Sequence, residues 1–350
     1  MKYAHITVEP MNPNIGATIS GVDLNNVTNP AVYEEIKQAL WRHGVIFFRK
    51  QPLEPEAYLK LGRAFGEPET HEFFPHPEGY PQIQKISHQG FDAPDTDRWH
   101  HDVSFRDNPS LISILRAVDI PPSGGDTMWM NCNLAFESLH PAMQTLLLDL
   151  EVIHDLPALF RRMGQFEKMA KAKGIAREEF EMQMMKANPE KIHPAIVNHP
   201  ITKKLTLYVN SAWSRDFVGM HRDLSDAFMQ MLWEWVKKPE FMCRFTWEND
   251  SIAIWDNLAT QHYAVFDYAP HYREMQRMTT AEFTPVLDRS TVAAEVRPAS
   301  WQSSPSAQKA LDSIVDQSRL ANASPKERAA VDAIFDALKS TDLNALARNG

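Results

Sequence analysis

The spacing of apolar positions changes period several times along the chain. Between Pro30 and His43, Val32, Ile36 and Leu40 recur at helical spacing and the run closes on Gly44, which predicts an amphipathic helix ended by a left-handed glycine. Val45-Ile46-Phe47-Phe48 follows at once, a β-branched and aromatic run that predicts a buried strand. Residues 54–65 repeat the helical pattern and end on Gly66. Ile112–Ala117 and Thr127–Asn131 are strand-like, with Pro121-Pro122-Ser123-Gly124-Gly125 as the turn-rich link between them. Residues 165–187, rich in Glu, Lys, Met and Ala, predict helix on a surface insertion. Ser225 is placed to cap a further helix, with Phe228, Met231, Leu232 and Trp235 along one face. From Leu205 onward the period shortens: Leu205–Asn210, Met242–Glu248, Ser251–Asp256 and Gln276–Thr284 all read as strands. Strands at this density predict a mainly β fold, a sandwich or barrel, with flanking helices. After about residue 286 the composition turns to Ser, Ala and Asp. There Ser324-Pro325-Lys326-Glu327 forms a capping box ahead of Val331, Ile334, Phe335 and Leu338. The expected organisation is one domain over 1–285 and a helical extension over 286–350.

Composition narrows the partners. The 350 residues are 43% hydrophobic, enough for a large core, and carry 36 Lys and Arg against 45 Asp and Glu, a formal charge of −9. That balance gives no electrostatic reason to hold polyanions, so nucleic acid and anionic membrane are not expected partners. Cys132 and Cys243 are too few for a disulfide framework and are not spaced as a metal knuckle, which suits a reducing compartment. No stretch approaches a membrane span, and Met1-Lys2-Tyr3-Ala4-His5 opens no apolar run of signal length. The expectation is a cytoplasmic protein.

Histidine supplies the first chemical pattern. In Trp99-His100-His101-Asp102-Val103-Ser104-Phe105, extended backbone sends His100 and Asp102 to one face and His101 to the other. A His-X-Asp pair with one distant histidine is the ligand set of a facial triad, which leaves metal positions open for substrate and oxygen. His262 can supply the third ligand from the β-rich half. Alone, a His-X-Asp is more often an ordinary polar stretch of loop. Arg273 and Arg277, 11 and 15 residues past His262, sharpen it, because their even separation puts both on one strand face. Two inward guanidinium groups beside a metal call for two anionic ligands.

With these residues in view, the chain resembles the taurine dioxygenase and 2,4-dichlorophenoxyacetate dioxygenase family of Fe(II)/2-oxoglutarate-dependent oxygenases. The resemblance covers about residues 5 to 285. It rests on the stretch from Ile15 to Leu24, Trp99–Phe105, Gly124-Gly125-Asp126-Thr127, His193-Pro194, His199-Pro200, Tyr208-Val209-Asn210, and Trp255-Asp256-Asn257 running to His262 and the two arginines. It implies a double-stranded β-helix, or jelly roll. It makes His100, Asp102 and His262 the catalytic iron ligands, Thr127 and Arg273 the clamp on the distal carboxylate of 2-oxoglutarate, and Arg277 the anchor for the substrate's anionic group. It also implies consumption of O2, with release of succinate and CO2, to hydroxylate a small anionic organic substrate: a sulfonate, a sulfate ester, or an aryloxy or other carboxylic acid. Related halogenases lack the carboxylate ligand, so Asp102 favours hydroxylation.

The substrate pocket implied by the same positions comprises His71, Phe74, Thr96, Leu159, Phe160, Trp213 and Arg277. Phe74, Thr96 and Leu159 stand where taurine enzymes have a tyrosine, an asparagine and a serine, which favours a less polar body than taurine on the same anionic head. Two other functions fit the resemblance: a biosynthetic hydroxylase or desaturase of the same cofactor class, and a non-catalytic 2-oxoglutarate-binding sensor, which the intact triad argues against. Family resemblance and aromatic surface helices suggest a homo-oligomer. Met182, Met184 and Met185, Trp233 and Trp235, and His193, His199, His221 and His271 are expected to be structural.

Overall fold

The computed structural model describes residues 3–70, 75–91, 97–157, 160 and 166–292. Its strands, in chain order, are β1 (Thr7–Pro10), β2 (Ala17–Ser20), β3 (Val45–Phe48), β4 (Gln84–His88), β5 (Ser110–Asp119), β6 (Thr127–Asn131), β7 (Glu151–His154), β8 (Lys191–Pro194), β9 (Ile196–Asn198), β10 (Leu205–Leu207), β11 (Ser214–Phe217), β12 (Met242–Phe245), β13 (Ile252–Asp256), β14 (Thr260–Ala264) and β15 (Arg273–Glu282). Among the described residues the largest sheet has seven strands in the order β1-β2-β3-β13-β5-β15-β4, and a three-stranded sheet runs β12-β6-β14. Two smaller sheets, β10-β9 and β11-β7-β8, complete a mainly β architecture with helices around it.

Alternation along the strands explains why these two main sheets face each other. Val45 and Phe47, Leu115 and Ala117, Ala253 and Trp255, Ile86 and Met275 point inward from the large sheet and meet Trp129, Cys243 and Phe245 of the small one. Phe47 stacks on Phe245 at 4.1 Å, and Trp129 packs edge-on against Trp255 at 5.8 Å. The intervening residues, Ile46, Phe48, Ile112, Ile114, Ile252, Ile254 and Met278, form the opposite face. That face is covered by helices α1 (Pro30–His43) and α2 (Pro55–Arg63), which contribute Ile36, Leu40, Tyr58 and Leu61. Each large side chain so buried contributes on the order of 2 kcal/mol. The Tyr58 hydroxyl lies 2.9 Å from the carbonyl oxygens of both Ile114 and Gln276, tying α2 to two neighbouring strands. Of the sandwich or barrel expected, the described residues form a pair of facing sheets.

Helix α1 has the predicted bounds, with Asn29 accepting from the Ala31 N–H at its start and Gly44 at φ 72° at its end. Further helices are α3 (Cys132–Glu137), α4 (Pro141–Leu148), α5 (Phe166–Lys173), α6 (Arg177–Ala187) and α7 (Arg222–Trp235). Ser225 is not a cap: α7 starts at Arg222 after His221, and the buried Ser225 hydroxyl accepts from the Phe217 N–H at 2.9 Å. The strand expected over Met242–Glu248 ends at Phe245, and Gln276–Thr284 is a ten-residue strand that begins earlier, at Arg273. Past residue 285, the Val286 carbonyl accepts from Asn198 N–H, and the Arg289 guanidinium pairs with Asp149 at 2.7 Å. Ser324, Val331, Ile334, Phe335 and Leu338 of the expected extension lie outside the described residues. No helix among the described residues is long and apolar enough to cross a membrane.

Candidate metal and cosubstrate site

One potential ligand atom from each of His100, Asp102 and His262 lies within 4.8 Å of the others, and all three residues are buried. Asp102 Oδ1 is 3.8 Å from Nε2 of both histidines. The chain brings them together through its backbone. His100 N–H donates to the His262 carbonyl at 3.1 Å and His262 N–H to the His100 carbonyl at 3.0 Å, so a single antiparallel bridge joins the 100–104 loop to β14. Extended geometry then sends the His101 ring away, against Tyr208 at 4.7 Å, with Cys132 Sγ and Asn210 Nδ2 each at 3.5 Å.

A second fastening comes from the turn after β13. Asn257 Oδ1 accepts from the Asp102 N–H at 2.7 Å, and its Nδ2 donates to the carbonyls of Asp102 at 2.9 Å and Ser110 at 2.8 Å. The next residue, Val103, has φ 49°. A β-branched side chain is rare in that left-handed region, and holding it there costs on the order of 1–3 kcal/mol, which the Asn257 clamp helps to offset. Asp102 Oδ2 accepts from the Ser113 hydroxyl at 2.7 Å, leaving Oδ1 turned toward the histidines.

The protonation states suit a cation. A carbonyl cannot donate, so the 2.7 Å contact from His100 Nδ1 to the Arg98 carbonyl puts the proton on Nδ1 and leaves Nε2 as a lone pair facing the cluster. Burial pushes the pKa of His100 down and that of His262 well down, which keeps both imidazoles neutral near pH 7. Burial alone would raise the Asp102 carboxyl, but Arg277 and then His262 and His100 more than reverse it, and the group is held well below the usual carboxylate range. Two neutral imidazoles and one carboxylate around a common point form the donor set of a non-haem Fe(II) facial triad.

Strand β15 supplies the cations. Its inner face carries Arg273, Met275 and Arg277, opposite His88, Ile86 and Gln84 of β4. Arg277 Nη1 donates to Asp102 Oδ1 at 2.9 Å, while its Nε and Nη2 donate to Gln84 Oε1 at 3.2 and 2.9 Å. The arginine expected to meet the substrate thus lies against the triad carboxylate. Arg273 is 9% exposed, and its buried Nε has no hydrogen-bond partner among the described residues. Burial pushes its pKa down, partly countered by Tyr268, whose ring centroid is 5.8 Å away, and by Asp126. Its side chain runs over Gly125, at φ 72°, where a Cβ would stand 3.1 Å from Arg273 Cδ and Nε, so any larger residue would be strained and press on the arginine. Two residues on, the buried Thr127 hydroxyl accepts from Trp247 Nε1 at 3.0 Å. A buried guanidinium with no direct ion pair among the described residues fits a carboxylate such as the distal one of 2-oxoglutarate.

Of the expected substrate residues, Trp213 stands beside the cluster. Its ring is 6.3 Å from His100 and 4.8 Å from Phe105, and its Nε1 donates to the His101 carbonyl at 2.8 Å. Phe160 packs on Phe166 at 6.3 Å, in a small apolar cluster with Ala170 and Phe180. His71, Phe74, Thr96 and Leu159 lie outside the described residues. Sequence reasoning missed Gln84, Ser113, Asn257 and Tyr268. Asn257 lay inside a quoted motif, but nothing in its spacing announced that it reaches back across 155 residues. His199, expected to be structural, donates from Nε2 to Asp256 Oδ2 at 2.7 Å and accepts two backbone N–H groups on Nδ1.

The family described as taurine catabolism dioxygenase TauD, TfdA family matches residues 7–279. An alkylsulfatase of Acinetobacter baylyi is 32% identical over 281 residues, 79% of this chain and 85% of the relative. A 2-oxoglutarate-dependent sulfate ester dioxygenase of Pseudomonas putida is 33% identical over 282 residues, 80% of this chain and 91% of the relative. The crystal structure of a taurine dioxygenase from Burkholderia xenovorans superposes with a TM-score of 0.66 at 32% identity, covering 84% of this chain and 99% of that one.

Proposed function

Because the chain belongs to the TauD, TfdA family and is an Fe(II)- and 2-oxoglutarate-dependent dioxygenase, we propose that His100, Asp102 and His262 hold its iron and Thr127 and Arg273 the distal carboxylate of 2-oxoglutarate. In the same reading Arg277 receives the anionic head of a small organic substrate, and the facing sheets form a double-stranded β-helix. The observation that carries the proposal is the inner face of β15. It places one arginine on the triad carboxylate and, four residues along, a second buried arginine whose Nε has no hydrogen-bond partner among the described residues.

When bound, iron and 2-oxoglutarate supply the oxidising equivalent that puts one oxygen atom of O2 into a substrate C–H bond, the cosubstrate leaving as succinate and CO2. The protein's part is to position. Arg98 and Ser113 orient the imidazole of His100 and the carboxylate of Asp102. Arg277, hydrogen-bonded to Asp102, sets a bound anion so that the carbon next to it faces the metal position. Trp213 walls one side of that space, its ring 6.3 Å from that of His100. The relatives named as an alkylsulfatase and a sulfate ester dioxygenase support a sulfate or sulfonate head on an apolar body. Hydroxylation of the carbon bearing a sulfate oxygen gives a hemiacetal-type ester, which breaks its C–O bond to release sulfate and a proton and leave an aldehyde.

A cytoplasmic site of action, a homo-oligomeric state and a boundary near residue 286 between the catalytic domain and its extension belong to the same proposal. The test is anaerobic titration with Fe(II) and 2-oxoglutarate, then exposure to O2 with alkyl sulfates, sulfonates, aryloxy acids or taurine and measurement of succinate. An apolar-bodied anion should beat taurine by roughly two orders of magnitude in affinity if three or four more carbons are buried, at about 0.8 kcal/mol each. Tighter coupling to taurine than to every apolar acid would refute that preference, and no substrate-dependent succinate at all would refute the assignment.

A further inference from the structure

The β4–β15 register sets Gln84 directly opposite Arg277 on the inner face. Gln84 is 1% exposed. A guanidinium has donors and no acceptor, so the two contacts from Arg277 Nε and Nη2 fix which end of the amide is which: oxygen on the arginine, nitrogen turned away. That nitrogen, Gln84 Nε2, is buried and has no hydrogen-bond partner among the described residues. A buried amide donor left unmet costs about as much as a lost hydrogen bond, so its persistence beside a ligand-binding arginine marks an acceptor that arrives with the ligand. The residue type fits the same task. Glutamate here would cancel the charge that Arg277 offers, and an apolar residue would leave the guanidinium without support. Glutamine orients the arginine, adds a donor and adds no charge.

We propose that Gln84 determines which anions the substrate site accepts, its Oε1 fixing the Arg277 guanidinium and its Nε2 donating to a second oxygen of the same anionic head. This rests on the assignment of Arg277 as the substrate anchor. A tetrahedral sulfate or sulfonate directs three oxygens along different axes, so one can meet the guanidinium while another meets the amide. A planar carboxylate places both oxygens in one plane and uses them on the arginine. Gln84 thus favours sulfate esters and sulfonates over carboxylates of equal chain length.

The experiment measures binding of hexyl sulfate and heptanoate by calorimetry to the full-length protein loaded anaerobically with Fe(II) and 2-oxoglutarate, together with the ratio of kcat/KM for the two. Gln84→Met should weaken hexyl sulfate about ten- to a hundredfold and heptanoate less than about threefold, with iron stoichiometry and 2-oxoglutarate affinity unchanged. Gln84→Glu, which keeps the shape should the methionine variant fold poorly, should weaken both anions, and hexyl sulfate more. Equal losses for the two anions in both variants, or none, overturn the proposal, because a merely structural glutamine would leave the selectivity ratio untouched. Arg277→Met separates the two levels: unchanged hexyl sulfate binding in that variant overturns the anchor and the role of Gln84 with it. Loss in Arg277→Met with an unchanged ratio in the Gln84 variants overturns Gln84 alone.

Discussion

At the scale of single residues, neighbouring histidines have opposite fates because backbone alternation separates them. His100 joins Asp102 and His262, whereas His101 is held between Tyr208, Cys132 and Asn210. That division was legible in the spacing, but the Arg98 carbonyl that sets the His100 tautomer was not, since no pattern marks which main-chain oxygen a ring will meet. His101→Ala should retain one iron per chain by metal analysis, whereas His100→Ala should lose it. Arg273 presents a sharper case, because a buried cation with no direct ion pair among the described residues is unfavourable until its ligand arrives. Arg273→Met should stabilise the ligand-free protein by about 1–3 kcal/mol in urea unfolding, while weakening 2-oxoglutarate by about 3 kcal/mol, roughly a hundredfold. Thr127→Ala should weaken 2-oxoglutarate less. A destabilised Arg273→Met protein would mean that the guanidinium has its partner already.

At the scale of elements, the site is a junction between one loop and two strands, and Asn257 is the fastener. Asn257→Val leaves the Asp102 N–H and the Ser110 carbonyl without their buried partner and should cost about 2–3 kcal/mol, with a weaker iron affinity. Val103→Gly relaxes the residue at φ 49° and should be neutral or stabilising by up to about 1 kcal/mol in the same unfolding assay, despite the entropy glycine gives the unfolded chain. Strands rich in Val, Ile and Phe, such as β3 and β13, were readable because both faces are buried. Strand β4 was not, because Gln-Lys-Ile-Ser-His puts polar groups on its inner face, where the site needs them. The start of α7 was misread for a related reason: Ser225 is a good capping residue by type, but tertiary contact with Phe217 uses its hydroxyl inside the helix.

At the scale of the whole molecule, several histidines are interior. Burial pushes His101 down to about 3 and lowers His154 and His193 as well. In the unfolded chain such a ring titrates near 6.5, so below that pH protons favour unfolding. The stability present above about pH 6.5 is lost as pH falls toward the folded-state values, by about 2 kcal/mol for His101 at pH 5. Urea midpoints between pH 7.5 and 5 should show this limb, and His101→Gln should make it shallower; a flat profile in the wild type would mean that these rings take up protons in the fold as readily as in the unfolded chain. A chain ended after Val292 keeps every described residue of the site, and it should bind iron and 2-oxoglutarate as the full chain does, by metal analysis and calorimetry. The position of β4 at the margin of the large sheet has a further consequence. Among the described residues it pairs with β15 alone, apart from one bond from the Lys85 N–H to the Pro75 carbonyl. A strand laddered on one side can exchange side chains without disturbing a second neighbour, so selectivity can drift there while the iron ligands stay fixed on other segments. Saturation mutagenesis should find positions 84, 86 and 88 more permissive for folding than 112 to 116 of β5, and richer in variants that trade one anionic substrate for another.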